Sequence, residues 1–179
     1  MPRSHRRKRT PVQSDQLGSR GLATRERLKA AAGRVLARKA YSQMTVADVT
    51  QEAGVAAGLF HRHFPDLQTL TMELANEVLD ELGNTAAVEQ GVARGDWMGR
   101  IHSHIALSVA NYAQRPGLVR AMNQLADESP AFRARLRGFY QSQLELLAAQ
   151  MPRLFPASKL TPTESLLIVY ALGGISEAV

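Results

Sequence analysis

Four of the chain's five histidines fall in two pairs, His61/His63 and His102/His104, and the chain has no cysteine. Imidazoles so grouped could hold a metal ion or shuttle protons. Both pairs lie in stretches that read as helix, where residues two apart point to nearly opposite sides. Neither pair can chelate one ion, so no metal site and no cofactor is expected. Without cysteine there is no thiolate nucleophile and no disulfide framework. The segment GGIS near the end reads as helix with a small-residue surface rather than a nucleophile elbow, and no G-x-G-x-x-G, P-loop or H-E-x-x-H occurs. Enzymatic chemistry is not expected.

A different chemistry is offered by GVAAGLFHRHF, Gly54 to Phe64. A two-turn helix that ends in His61, Arg62 and His63 could enter a DNA major groove. Arg62 could grip a guanine edge through two hydrogen bonds, while Ala57 and Leu59 could touch thymine methyls. His61 and His63 read as DNA contacts or as surface residues that make binding weakly pH-dependent. Gly58 permits either a close approach of the backbone to DNA or tight packing against the first helix.

Charge is distributed to match. Residues 1–21 hold six Lys/Arg against one acid, residues 22–64 seven against three, and residues 65–179 nine against twelve. The front is suited to a polyanion. Within it, Arg6, Arg7, Lys8 and Arg9 would follow the phosphate backbone or enter a minor groove, unless they serve only solubility. The polar residues after this run supply no signal-peptide core, and no apolar run reaches membrane-spanning length, so a soluble, cytoplasmic protein without membrane contact is expected.

The elements that would position these residues are helical throughout. Residues 1–22 lack apolar periodicity and read as a flexible basic arm. From a Thr24 cap, Leu28, Ala32, Val35 and Leu36 form one stripe. Thr45, with Asp48 three residues on, opens a second helix that buries Val46, Val49 and Ala53, and Gly54 ends it in a tight turn. Two short helices about such a turn make a helix-turn-helix. Phe60 and Phe64 face the core. Pro65 and Asp66 then lead into a fourth helix with Leu67, Leu70, Leu74 and Val78 inward and Glu73, Glu77 and Glu81 in water. After a connector at 84–95, an Asp96 cap opens a long helix, and three further helices follow.

On TRERLKAAAGRVLARKAYSQMTVADVTQEAGVAAGLFHRHFPDLQTL, residues 24–70, the chain resembles the TetR family of bacterial transcriptional regulators. The likeness lies in the Ala pair of the first helix, MTVADV, the EAGV turn, Gly58, and Phe64 before a capped helix. The resemblance implies an all-α fold. An N-terminal three-helix helix-turn-helix domain (23–70) follows the arm (1–22), and a C-terminal helical ligand-binding and dimerisation domain takes 71–179. It implies a homodimer, probing successive major grooves of a near-palindromic double-stranded DNA operator and released by a small-molecule effector. The family's usual Ser, Lys or Gln, Thr and Tyr are replaced by Ala56, Ala57, Leu59 and His61, and a phosphate-gripping Lys by Leu67. Thr45 and the amide ends of the second and third helices remain as phosphate donors. These departures keep open a second reading, a protein-interaction module that no longer reads sequence.

In the rear, Trp97, Ile101, His104, Ile105, Ser108 and Tyr112 share one side of a helix. With Met122, Phe139, Tyr140 and Gln143 they could line a cavity for a largely apolar effector, or form plain core. Leu166, Leu167, Tyr170 and Gly174 on the last helix are the candidate dimer contacts.

Overall fold

The computed structural model of the protein describes residues 18–177, and Arg6, Arg7, Lys8 and Arg9 lie outside the described residues. Helices run α1 Ser19–Leu36, α2 Val46–Ala53, α3 Ala57–His63, α4 Leu67–Gly83, α5 Thr85–Val88, α6 Trp97–Gln114, α7 Pro116–Glu128, α8 Pro130–Ala148, α9 Met151–Leu154 and α10 Pro162–Glu177. No strand occurs among the described residues, and the all-α reading holds.

The first helix starts earlier than its apolar pattern suggests. Thr24 does not cap it; the Thr24 hydroxyl donates back to the Arg20 carbonyl at 2.9 Å, a bond made inside a helix. Residues 19–22, expected in the arm, therefore belong to α1. Its first residues are exposed, so no apolar period announces them. Further on, Leu28, Ala31, Ala32, Val35 and Leu36 are buried, as the stripe requires.

The chain divides into two compact units, one of residues 18–78 with 112–128 and one of 79–111 with 129–177. The division cuts α4 and α6 within continuous helix, where no change of composition marks it.

In the first unit α1 to α3 pack around Leu28, Val49, Phe60 and Phe64, joined by Leu70 of α4. Leu118, Ala121, Met122 and Leu125 of α7 are buried in the same unit. Helix α7 meets the end of α1 at Gly117, where a Cβ would stand 1.8 Å from the Leu36 carbonyl oxygen. At the opposite end of α7, Glu128 holds Tyr41 by a side-chain hydrogen bond. Burial, then the charges of Glu128 and Asp66, push its phenol up to about 12.

In the second unit α8 and α10 pack together about Ala148, Met151 and Val169, with Leu144 and Leu166 partly buried against them. Ser129 caps α8 through the Phe132 amide at 3.2 Å. Thr161 and Glu164 close the start of α10 reciprocally, with amide bonds of 2.8 and 3.2 Å. The connector at 84–95 is not irregular throughout: it holds α5, then turns at Gly91 and Gly95, whose φ values are 85° and 90°. Asp96 caps α6 at the Gly99 amide, 2.8 Å.

Because backbone faces backbone at Gly117, Gly117→Ala should destabilise the first unit by about 1–3 kcal/mol, the usual penalty of overpacking. Urea unfolding would show this as a lower midpoint; an unchanged midpoint would mean that α7 moves aside freely.

Candidate nucleic-acid interface

The turn that presents α3 is built as its residues dictate. The Thr45 hydroxyl accepts from the Asp48 amide at 3.1 Å, and Asp48 accepts from the Thr45 amide at 2.9 Å, a complete capping box at the start of α2. Gly54 ends α2 in the left-handed region at φ 64°, where a side chain is disfavoured. Ala56 precedes α3 and offers no side-chain cap. At the far end the Thr69 amide donates to Asp66 at 2.7 Å, which starts α4.

Helix α3 has one inner and one outer side. Phe60 and Phe64 are fully buried, their rings 5.9 Å apart. Ala56, Ala57, Gly58, His61 and Arg62 are exposed, and Leu59 is half-buried. A Cβ on Gly58 would meet nothing within 4 Å, which removes packing against α1 as the reason for a glycine there. His63, expected to face DNA, is instead 3% exposed. It lies two residues past the exposed His61, which turns it to the core side. Thr45 is exposed, but its hydroxyl donates to Asp48 at 2.7 Å, and the start of α2 is already occupied by that carboxylate. The capping box thus takes up the Thr45 and Asp48 amides at that end.

Most basic side chains of the head are committed internally. Arg25 and Lys29 reach Glu73 and Glu77 of α4, the carboxylates expected to stand in water. Lys29 also meets Glu26 at 2.7 Å. Burial works against its charge, but the bonds to Glu26 and Glu77 outweigh this and raise its pKa. Arg27 donates to the Ala53 carbonyl at 2.7 Å, Arg34 and Arg38 both bind Glu52 at 2.6 Å, and Lys39 binds Asp48 at 2.6 Å. The two arginines hold the Glu52 carboxyl below its ordinary range, and Lys39 with Thr45 lowers Asp48 to about 2. Among the described residues of the head, Arg62 and Arg20 are left with side chains available to a partner.

A helix-turn-helix with its second helix held by two aromatics and its outer side turned to solvent is thus in place. Residues 28–73 match the family model of bacterial regulatory proteins, tetR family. The head is a TetR-family DNA-binding domain. The TetR-family match stops before the rear helices, and no curated protein matches the chain.

The residues expected to line an effector pocket fall in both units. Trp97, Ile101, His104 and Ser108 form a half-buried side of α6, but Ile105 and Tyr112 are 56% and 46% exposed and fall beside Met98 and Val109. The apolar arc of α6 is wider than the part that is covered. His104 lies 3.3 Å from Glu89, which also binds Arg100 at 3.3 Å. Met122 is buried in the first unit, whereas Phe139, Tyr140 and Gln143 belong to the second. Phe139 lines an open groove of about 450 Å³ with Leu79, Asp80, Arg135, Gly138 and Ser142, a more polar lining than expected, with Asp80 and Arg135 paired at 2.5 Å. Of the dimer candidates, Leu167 is 64% exposed and Leu166 packs inward; the surroundings of Tyr170 and Gly174 lie outside the described residues.

Sequence reasoning missed Arg25. The signal was available: Arg25 and Lys29 are four apart on one helix, as Glu73 and Glu77 are on another, a complementary pair of rungs.

The Nδ1 of His63 has no hydrogen-bond partner, and burial, then the cations Arg25 and Arg62, lower its pKa from the ordinary 6.5. A lowered histidine favours the fold in its neutral form, so that contribution is complete above pH 6.5 and is lost as pH falls through the depressed value. Unfolding midpoints measured from pH 7 down to about pH 4.5 should therefore fall more steeply for the wild type than for His63→Leu. Parallel slopes would remove His63 as the cause.

Proposed function

We propose that the protein is a transcriptional regulator, a repressor, acting in the cytoplasm as a homodimer on a near-palindromic operator and released by a small, largely apolar effector. The observation that carries this reading is the outward run of α3: His61 and Arg62 exposed at its end, and Ala56, Ala57 and Gly58 bare at its start.

Small residues there let the helix backbone lie close to the groove floor. Arg62 then supplies the fork for guanine, His61 a second polar contact, and Ala57 and Leu59 the thymine methyls. Since the other cations of α1 are committed to carboxylates and carbonyls, phosphate affinity falls to Arg20 and to the arm, with Arg6, Arg7, Lys8 and Arg9. Two copies paired through the last helix, with Leu167 outward, place two heads on symmetric half-sites. The effector would bind the half-buried side of α6 and bias the dimer toward a form that fits the operator less well.

A second reading, a protein-interaction module, is favoured by the same internal commitment of the α1 cations and by the apolar start of α3. The two differ in base selectivity.

Selection from a random duplex library at low and high salt should return a palindromic motif at both. On that motif Arg62→Ala should lose about 1–3 kcal/mol of discrimination at one base pair in each half-site. A chain beginning at Gly18 should bind more weakly with a shallower salt dependence. Binding without any motif, abolished by salt, would favour the interaction module.

A further inference from the structure

We propose that Arg25 is a positioning residue for base reading: it fixes the end of the recognition helix that carries Arg62 without touching DNA itself. This rests on the reading of α3 as a sequence reader.

Helix α3 is seven residues long and lacks a side-chain cap at its start. So short a helix has little stability of its own, and its attitude is set by what grips it. Phe60 and Phe64 anchor the inner side, but aromatic packing alone leaves sliding and rocking about the rings. Arg25 removes that freedom. One guanidinium nitrogen donates to the His63 carbonyl, the last carbonyl of α3, and Nε donates to Glu73 at 3.0 Å while a third nitrogen pairs with the same carboxylate. The guanidinium carbon stands 4.0 Å from the centre of the Phe64 ring. A planar group that donates to an α3 carbonyl and an α4 carboxylate while standing over the intervening ring ties α1, α3 and α4 together.

The clamped carbonyl belongs to the residue immediately after Arg62. Any shift of the clamp moves the Arg62 backbone first, and a two-bond contact with a base edge tolerates little misplacement. Arg25 is 9% exposed, so its effect must pass through α3. A lysine at this position keeps the charge beside Glu73 but cannot span both partners or lie flat on Phe64.

The test compares wild type, Arg25→Lys and Glu73→Gln on the selected duplex and on a scrambled duplex, well below each variant's melting temperature. Arg25→Lys should lower the ratio of selected to scrambled affinity about tenfold, with scrambled binding and its salt slope unchanged. Glu73→Gln, which keeps an acceptor for the guanidinium, should lower the ratio less. A role confined to stability would instead leave the ratio unchanged at temperatures where the variants are folded, and that result would overturn the proposal. A selective wild type with equally selective variants overturns this inference alone; an unselective wild type overturns it together with the reading on which it rests.

Discussion

The arrangement of the head depends on how two buried cations on α1 find carboxylates. Arg25 and Lys29 are 9% and 4% exposed, and cations so covered are costly unless their donors are met, although Glu26 and Glu77 keep contact with water. Glu73 and Glu77 meet them. The pairing need add no net stability over an apolar contact, but it restricts geometry, because each donor is satisfied only when α1 and α4 lie in one register. The His63 carbonyl then ties α3 to the same register. Hydrophobic burial of Leu28, Phe60 and Leu70 supplies the drive to collapse, and the ionic layer selects which collapsed form is reached.

This layer changes what the head's charge means. The segment 22–64 carries four more cations than acids, but residues 65–78 add Asp66, Glu73 and Glu77 and no cation, so most of that excess is neutralised once α4 packs on. The donors of Arg25 and Lys29, buried on Glu73 and Glu77, are unavailable for directional bonds with phosphate, whereas the exposed pairs of Arg34, Arg38 and Lys39 must first be broken to reach it. Long-range attraction and short-range grip are therefore supplied by different residues. The first comes from the whole front, the second from the few side chains that protein partners leave available.

The order and type of the helices were legible because apolar spacing, Gly54, Asp66, Asp96 and Pro162 each act within a few residues of where they stand. Phe60 and Phe64 were legible as core for the same reason. The first turn of α1 was not, since a helical turn exposed to water leaves no apolar period. His63 was misplaced because its neighbours His61 and Arg62 do face outward, and a basic triplet reads as one surface. The Glu73 and Glu77 partners were missed because pairing between α1 and α4 is set across forty-eight positions, a distance over which local pattern is silent. The width of the apolar arc on α6 was visible, whereas the part of it that other helices cover was not.

The start of α3 shows a separation of labour between folding and recognition. Ala56, Ala57 and Gly58 are exposed, and space is open beyond the Gly58 backbone, while the anchoring falls to Phe60, His63 and Phe64 behind them. Residues that the fold does not use can change without endangering it. On the proposed reading, a lineage could exchange one set of recognised bases for another through single substitutions on this surface, each intermediate remaining folded. The bare alanines then mark a place where selectivity can evolve faster than architecture.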